Sequence, residues 1–565
     1  MLSRIGSYLL QGIEALPCEV EVDLNDRGAT ERPLIVGLPD TAVKESLERV
    51  RSAMENSGYA WPLGRLLINL APADVRKEGP SYDLPIAVGL LLAMGAIAPP
   101  SRAPQHIRSE AGVRASSAAG EQDAGEPAGP VSGEDPEGWT EDLDALDRAL
   151  ELAGMAGSVG LDPRRYLLAG ELALDGRLRP VKGVIAMAAL AREMGKAGVI
   201  VPRENAPEAA VVPGVEALGV ETLPEVVGLL TGQIEPHPHP PADVASMLRT
   251  AEAEIDFADV RGQEGVKRAI VIAAAGSHNL LMLGPAGTGK SMMAKALPGV
   301  LPPMSPEEAL EVTRVYSAAG KLAPGSGLIC VRPVRAPHHT ASGAAVIGGG
   351  IVPRPGEVSL AHRGVLFLDE LPEFPRDVLE TLRQPLEDHV VTIARSHSAV
   401  RFPANFMLVA AMNPTPKGDM PTGEVGRRAM DRYLSKLSGP LVDRIDIHVE
   451  APAVPFSQLS GEPRGTTSAE MRRQVLSARQ RQDARQGPTT PNSRLSGRRL
   501  DTLAPMTEEA RALLGTAMAE LGLSARAYDK IRRVARTIAD LAGSDVLQVE
   551  HVAEAVQYRL LDRRV

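Results

Sequence analysis

The stretch GPAGTGKS, residues 284–291, constrains this chain more than any other feature. It fits G-x-x-x-x-G-K-[ST], with Gly284 and Gly289 as the fixed glycines. Apolar LLML (280–283) precedes it, and a helix beginning near Lys290 follows. The pattern predicts a buried strand, a tight turn and a helix of an α/β sheet. Phosphate oxygens must approach the backbone N–H groups of such a turn closely, and a Cβ would block them. Gly284, Pro285, Ala286, Gly287, Thr288, Gly289, Lys290 and Ser291 are therefore the expected nucleotide cradle. Lys290 would reach the β- and γ-phosphates, and Ser291 would offer its hydroxyl to Mg²⁺.

Such a loop predicts a partner motif downstream. Residues 364–371 read GVLFLDEL, four apolar residues ending in two acids. This is the pattern of a buried parallel strand, whose C-terminal end is where an open α/β sheet places ligands. Asp369 would hold Mg²⁺ through water. Glu370 would polarise the attacking water, which implies hydrolysis as well as binding. ATP and Mg²⁺ are the expected cofactors.

With 565 residues the chain has room for several domains. No run of 18 uncharged apolar residues appears, so a membrane partner is not expected, and the N-terminus lacks a signal-peptide layout. Two cysteines, Cys18 and Cys330, leave no disulfide framework and no cysteine zinc site. A cytoplasmic location fits. Of the net charge of −10, −8 lies in residues 101–158, an Ala-, Gly-, Ser-, Glu- and Pro-rich segment read as disordered. Residues 471–500 instead carry eight arginines and one acid, a stripe suited either to phosphates or to solvent.

Before the acidic segment, strands are expected at 18–24, 32–39 and 65–72, with helices at 40–58 and 83–97. Asp40 is the N-cap candidate of the first helix, and Gly58 stops it. After the segment come 165–183, a helix through Met194 and the strand GVIVP (198–202). The expected organisation is a first domain over 1–232 interrupted at about 101–158, a Pro-rich linker over 233–255, an ATPase core over 256–455 and a helical region over 456–565.

The motifs together resemble the ComM/YifB family, the Mg-chelatase-like group of AAA+ ATPases. The likeness rests on DFADVRGQEGVKRAIVIAAAGSHNLLMLGPAGTGKS (256–291), RAPHHTAS (335–342), PGEVSLAHRGVLFLDELPEF (355–374), LRQPLEDHVVTIARS (382–396), SGPLVDRIDIHVE (438–450) and LSARAYDKIRRVARTIADL (523–541). It extends to IVGLPDTAVKESLERVRSA (35–53) and LAGELALDGRLRPVKGV (168–184). The resemblance implies an α/β protein with an N-terminal Lon-like (ribosomal S5 domain 2-like) α+β domain, a central AAA+ doubly wound sheet and a C-terminal helical lid.

It also implies site roles. Asn413 matches sensor 1, Arg444 the arginine finger and Arg526 sensor 2. A finger acts on a neighbouring subunit, so an oligomer, a hexameric ring in this family, is implied. Two hairpin-like inserts, 338–362 and 389–406, would face its pore. Arg395, His397 and Arg401 are candidates for touching a polymer there. His338 and His339 are expected to hydrogen-bond or to line the pore rather than to bind metal, since no third ligand stands at metal spacing.

Two departures stand out. Many members carry four cysteines after sensor 1, but NPTPKG (413–418) has none, so no zinc is expected. The Lon-like domain offers Ser81 in KEGPS, but Ile185 stands where a lysine base should be and Lys182 comes three positions early. A serine without a placed base is not activated, so proteolysis is not expected. The implied activity is that of an ATP-driven DNA motor, a helicase or branch-migration factor in recombination or transformation. Its DNA contacts would be mainly to phosphates and salt-sensitive, because aromatic residues make up only 3%. The alternative is an ATP-dependent protein remodeller like the magnesium-chelatase motor subunit.

Overall fold

The computed structural model describes residues 1–25, 33–97, 160–350, 353–394, 399–415, 433, 436–455, 465–488 and 490–559. The acidic segment, Arg395, His397 and most of the loop after Asn413 lie outside the described residues. The chain divides into two compact units: Met1–Leu9 with Leu16–Pro240, and Leu10–Ala15 with Pro241–Val565.

Among its described residues the first unit contains two larger sheets and a two-stranded antiparallel ladder, Glu171–Leu172 with Leu178–Arg179. One is four-stranded, in the order β1 (Leu2–Gln11), β2 (Glu14–Asn25), β4 (Arg65–Ala71) and β3 (Leu34–Val36). In β2 the odd residues face outward while Cys18, Val20, Val22 and Leu24 are buried, the period-2 pattern of a one-sided strand. Helix α1 (Thr41–Asn56) is capped by Asp40, whose side chain accepts from the Val43 N–H at 2.8 Å. It ends before Gly58, whose φ of 86° is left-handed. Helix α2 (Asp83–Ala93) is buried almost all round, and the Asp83 carboxylate is held by the Arg49 guanidinium at 2.8 and 3.0 Å. The second sheet is parallel: β5 (Tyr166–Leu168), β6 (Gly198–Pro202) and β7 (Glu216–Val220). Helix α3 (Val184–Glu193) connects the first two of its strands.

The second unit is built on a five-stranded, all-parallel sheet. In chain order its strands are β8 (Leu280–Leu283), β9 (Val334–Arg335), β10 (Val365–Leu368), β13 (Met407–Met412) and β14 (Ile447–Glu450). In space they run β9-β10-β13-β8-β14. The apolar runs of β8, β10 and β13 are buried on both faces, as in a sheet covered by helices on each side. A hairpin, β11 (Val390–Ala394) with β12 (Ala399–Pro403), precedes β13 in antiparallel register. The other expected insert differs from a plain hairpin. Among its described residues it contains two short helices, Gly343–Ile347 and Glu357–Leu360, with a two-residue ladder between Gly348–Gly349 and Arg354–Pro355. Its glycines and alanines supply too few β-forming side chains for a longer ladder.

Helices α4 (Glu264–Gly276), α5 (Ser468–Gln486), α6 (Ala525–Ala542) and α7 (Val549–Gln557) pack on one side of this sheet around a single cluster that includes Ile270, Val475, Ile531 and Val552. Helix α5 carries part of the arginine stripe, and the structure changes its reading. Arg472 donates to the Pro298 carbonyl, Arg479 to the Ala274 carbonyl, and Arg485 grips Asp540 at 2.6 and 2.9 Å. These three cations are committed inside the unit, because Met471, Val475 and Ala478 turn that face onto α4.

Candidate nucleotide site

The parallel sheet fixes what can meet. β13 lies between β8 and β10, so the segments leaving all three strands emerge side by side at their C-terminal ends. From β8 comes the loop 284–289. The Gly284 N–H donates to the Met412 carbonyl, and a Cβ at Gly284 would stand 2.1 Å from the Ala451 carbonyl oxygen. Glycine is the residue that this close approach admits. Gly287 and Gly289 take φ of 78° and 84°, so the loop turns through left-handed backbone.

Lys290 opens the short helix after the loop and is 7% exposed. Its Nζ donates to the carbonyls of Gly284 and Pro285, both at 2.7 Å, and to Asn413 Oδ1 at 3.3 Å. Burial lowers its pKa, and the Asp369 charge opposes that shift. The Ser291 hydroxyl donates to Asp369 Oδ2 at 2.7 Å. Asp369 Oδ1 accepts the Glu370 N–H at 3.0 Å. A hydroxyl and a carboxylate side by side are hard oxygen donors of the kind Mg²⁺ takes, so the residues fit that ion.

Glu370 adopts φ of 52°, uncommon for a residue with a Cβ, and its side chain is half exposed. Its Oε2 lies 3.1 Å from His339 Nδ1. His339 in turn meets the Phe374 ring edge-on and sits 4.1 Å, centroid to centroid, from His338. Lys290, Ser291, Asp369, Glu370 and Asn413 thus stand in one place, with His339 added by the fold. Gln263 is a further addition. Its Nε2 donates to the Thr288 carbonyl at 3.3 Å and the Pro452 carbonyl at 2.7 Å, bracing the loop from outside. Its left-handed φ of 62° beside Gly262 marks a turn, but no spacing rule ties residue 263 to residue 288.

Arg444 and Arg526 lie elsewhere. Asn279, immediately before β8, donates through Nδ2 to the Arg444 carbonyl at 2.9 Å, and its own carbonyl accepts from the Asp446 and Ile447 N–H groups at 3.1 Å each. Arg444 therefore sits at the N-terminal end of β8, whereas the glycine-rich loop leaves its C-terminal end. Four strand residues at roughly 3.3 Å each separate the two ends. Arg526, 76% exposed in the first turn of α6, pairs with Asp443 at 3.3 Å, so both arginines belong to this opposite edge. Just beneath them a buried network begins. His278 joins Asp446 at 3.2 Å and Thr537 at 2.8 Å, Asn492 joins Thr537 and Asp540, and Asp540 takes Arg485 and Arg536.

In the first unit, the Lys182 side chain is exposed, and its carbonyl accepts from the Tyr8 hydroxyl. The Ile185 N–H donates to the buried Glu208 carboxylate at 2.8 Å, and Asn205 Nδ2 donates to it at 3.2 Å. Among the described residues no group of three or more His, Cys, Asp or Glu is arranged to hold a metal. Nor is any helix there long and apolar enough to cross a membrane.

Comparison with known proteins agrees with this architecture. Residues 256–459 match the family model for magnesium chelatase, subunit ChlI, residues 465–559 its C-terminal model, and residues 20–106 and 146–205 the model described as subunit ChlI of Mg-chelatase. The chain is 38% identical to competence protein ComM of Haemophilus influenzae, over all of this chain and 98% of that protein. It is 39% identical to YifB of Salmonella typhimurium, over all of this chain and 98% of that protein. The magnesium-chelatase 38 kDa subunit of Rhodobacter capsulatus is 25% identical over 41% of this chain and 71% of that protein. With its parallel sheet, its glycine-rich loop and full-length relatives of this kind, the chain belongs to the ComM/YifB family of Mg-chelatase-like AAA+ ATPases.

Proposed function

We propose that the protein is an ATP-hydrolysing motor that works on DNA as a ring of identical subunits, in helicase or branch-migration steps of recombination or transformation. The observation that carries the ring is the distance between the two ends of the sheet. Arg444 stands at the N-terminal edge, beside Asn279, and the 284–291 loop at the C-terminal edge. An arginine finger here serves a neighbour's loop, not its own, and Arg526 on the same edge serves with it. A hexamer is the closed ring proposed.

Bound ATP with Mg²⁺ supplies a reactive phosphoanhydride and a cation that neutralises its charge. The loop N–H groups and Lys290 hold its phosphates. Ser291 and Asp369 hold the ion. Glu370 polarises the attacking water and Asn413 orients it. Arg444 and Arg526 of the adjacent subunit stabilise charge on the transferred group, an effect of about 10³-fold or more for a finger arginine. The first unit is proposed to be non-proteolytic, since the Lys182 side chain is exposed and Ile185 faces Glu208 through its N–H.

The DNA reading is supported by the full-length likeness to a competence protein and by exposed Arg401 on the hairpin. One observation favours protein remodelling instead. Arg472, Arg479 and Arg485 are spent internally, which leaves less positive surface for phosphates. The two readings part on ATP hydrolysis measured with no DNA, single strands, duplex and four-way junctions, beside Glu370→Gln. Stimulation by DNA that vanishes in Glu370→Gln supports the motor on DNA. Basal hydrolysis indifferent to every DNA sinks it and moves the weight to a protein partner.

A further inference from the structure

Arg444 is already engaged within its own chain. One guanidinium nitrogen donates to the Pro440 carbonyl at 2.5 Å, and another is paired with the Glu387 carboxylate. The side chain is only 16% exposed, and its buried Nε has no partner among the described residues.

The position of Glu387 gives this pair its meaning. It lies in the last turn of the short helix Arg383–Asp388, which passes through His389, with φ of 57°, straight into strand β11 of the hairpin. The Ala404 N–H donates to the His389 carbonyl at 2.8 Å and closes the base of that hairpin. Val391, Val400 and Phe402 of the hairpin share one buried cluster with Leu441, Val442 and Ile445, which flank Arg444. Hairpin, helix and arginine loop are therefore packed as one piece, and a shift of the hairpin is felt at the Glu387–Arg444 contact.

A guanidinium stabilises a transferring phosphoryl group through its charge and its free N–H donors. A carboxylate on the same guanidinium neutralises that charge and takes a donor. Glu387 and a neighbour's phosphate thus compete for Arg444. The unpaired buried Nε makes the Glu387-bound pose an incompletely satisfied one, so it can yield.

We infer that Glu387 is a positioning residue that restrains Arg444. When the hairpin β11–β12 engages a polymer, Glu387 is drawn away and the arginine is released to the neighbouring subunit's nucleotide. This rests on the reading of Arg444 as the finger.

The test uses the full-length protein and four variants: Glu387→Ala, Glu387→Gln, Arg444→Ala and the double variant Glu387→Ala/Arg444→Ala. Steady-state ATP hydrolysis is measured with and without duplex DNA. Glu387→Ala is expected to raise the DNA-free kcat several-fold while leaving KM for ATP unchanged, the split expected when only transition-state stabilisation changes. Glu387→Gln, which keeps a hydrogen bond but not the charge, should fall between. Stimulation by DNA should shrink towards none, and the double variant should hydrolyse no faster than Arg444→Ala. Glu387 is 60% exposed, so its truncation opens no core, and melting temperatures check this. A Glu387→Ala or Glu387→Gln rate at or below that of the unaltered protein, at unchanged melting temperature, overturns the restraint. If Arg444→Ala itself hydrolyses normally, the finger reading fails, whatever Glu387 does.

Discussion

The two ends of the central sheet use the same kinds of side chain in opposite ways. At the C-terminal end, Lys290, Ser291, Asp369 and Glu370 are joined by a few single bonds, mostly to loop carbonyls or to one another. At the N-terminal end, His278, Asp446, Thr537, Asn492 and Asp540 are buried and cross-linked to three arginines or lysines. The first arrangement keeps donors and acceptors available for exchange with a ligand. The second satisfies them permanently, and it ties the segment carrying Arg444 to α6 through Asp446 and Lys530. Polar groups held loosely do chemistry, and polar groups held from several sides set geometry.

This contrast can be broken at either end. The largest effect on activity is expected from Lys290→Ala, with kcat for ATP falling by about 10²-fold or more and the melting temperature little changed, since only loop contacts are lost. A large melting shift would mean that the loop is as structural as the opposite end.

Asp446→Ala should do the reverse. Burial pushes the Asp446 carboxyl up, but the His278 bond and the Lys530 charge hold it well below the usual carboxylate range. Removing it leaves His278 with Thr537 and Lys530 with the Ile445 carbonyl but takes away the buried carboxylate that both face, and a loss of about 3–5 kcal/mol in urea unfolding is expected, as for a broken buried pair. A loss below ~1 kcal/mol would show that the network is no more than surface-like in worth.

The smallest effect is the pH dependence that His389 contributes at the base of the hairpin. Burial, reinforced by Arg494 and Arg363, lowers His389 to about 4 from 6.5. Between these values the unfolded chain binds the extra proton and the folded one does not, so stability should fall as pH drops from 6.5 towards 4. His389→Asn, which tolerates the left-handed backbone, should flatten the melting curve across that window. An unaltered slope would assign the dependence to other groups.

Much of this was readable before any coordinates. The strand 198–202 follows from its apolar run, and α1 from Asp40 and Gly58, because cap and period are local signals. The convergence of Lys290 with Asn413 was implied only through family motifs, since 123 residues separate them. That Arg472, Arg479 and Arg485 of the arginine stripe turn inward was not legible, because sequence counts charges but not the carbonyls and carboxylates that meet them. His339 and Glu370 each stood out in the sequence but their pairing did not, and Gln263 on Thr288 and Glu387 on Arg444 had no signature at all.

The sequence by itself determined the chemistry available: a loop that only glycines can shape, a lysine, a hydroxyl and two acids at the ends of buried strands. Those depend on short-range sterics and on which residues can be buried. Only the tertiary structure decided who serves whom. Strand order put β13 between β8 and β10, so Asn413 meets its own Lys290, while the parallel sense of β8 and β14 sent Arg444 to the far edge. Strand order and direction are long-range packing choices, and no spacing along the chain encodes them.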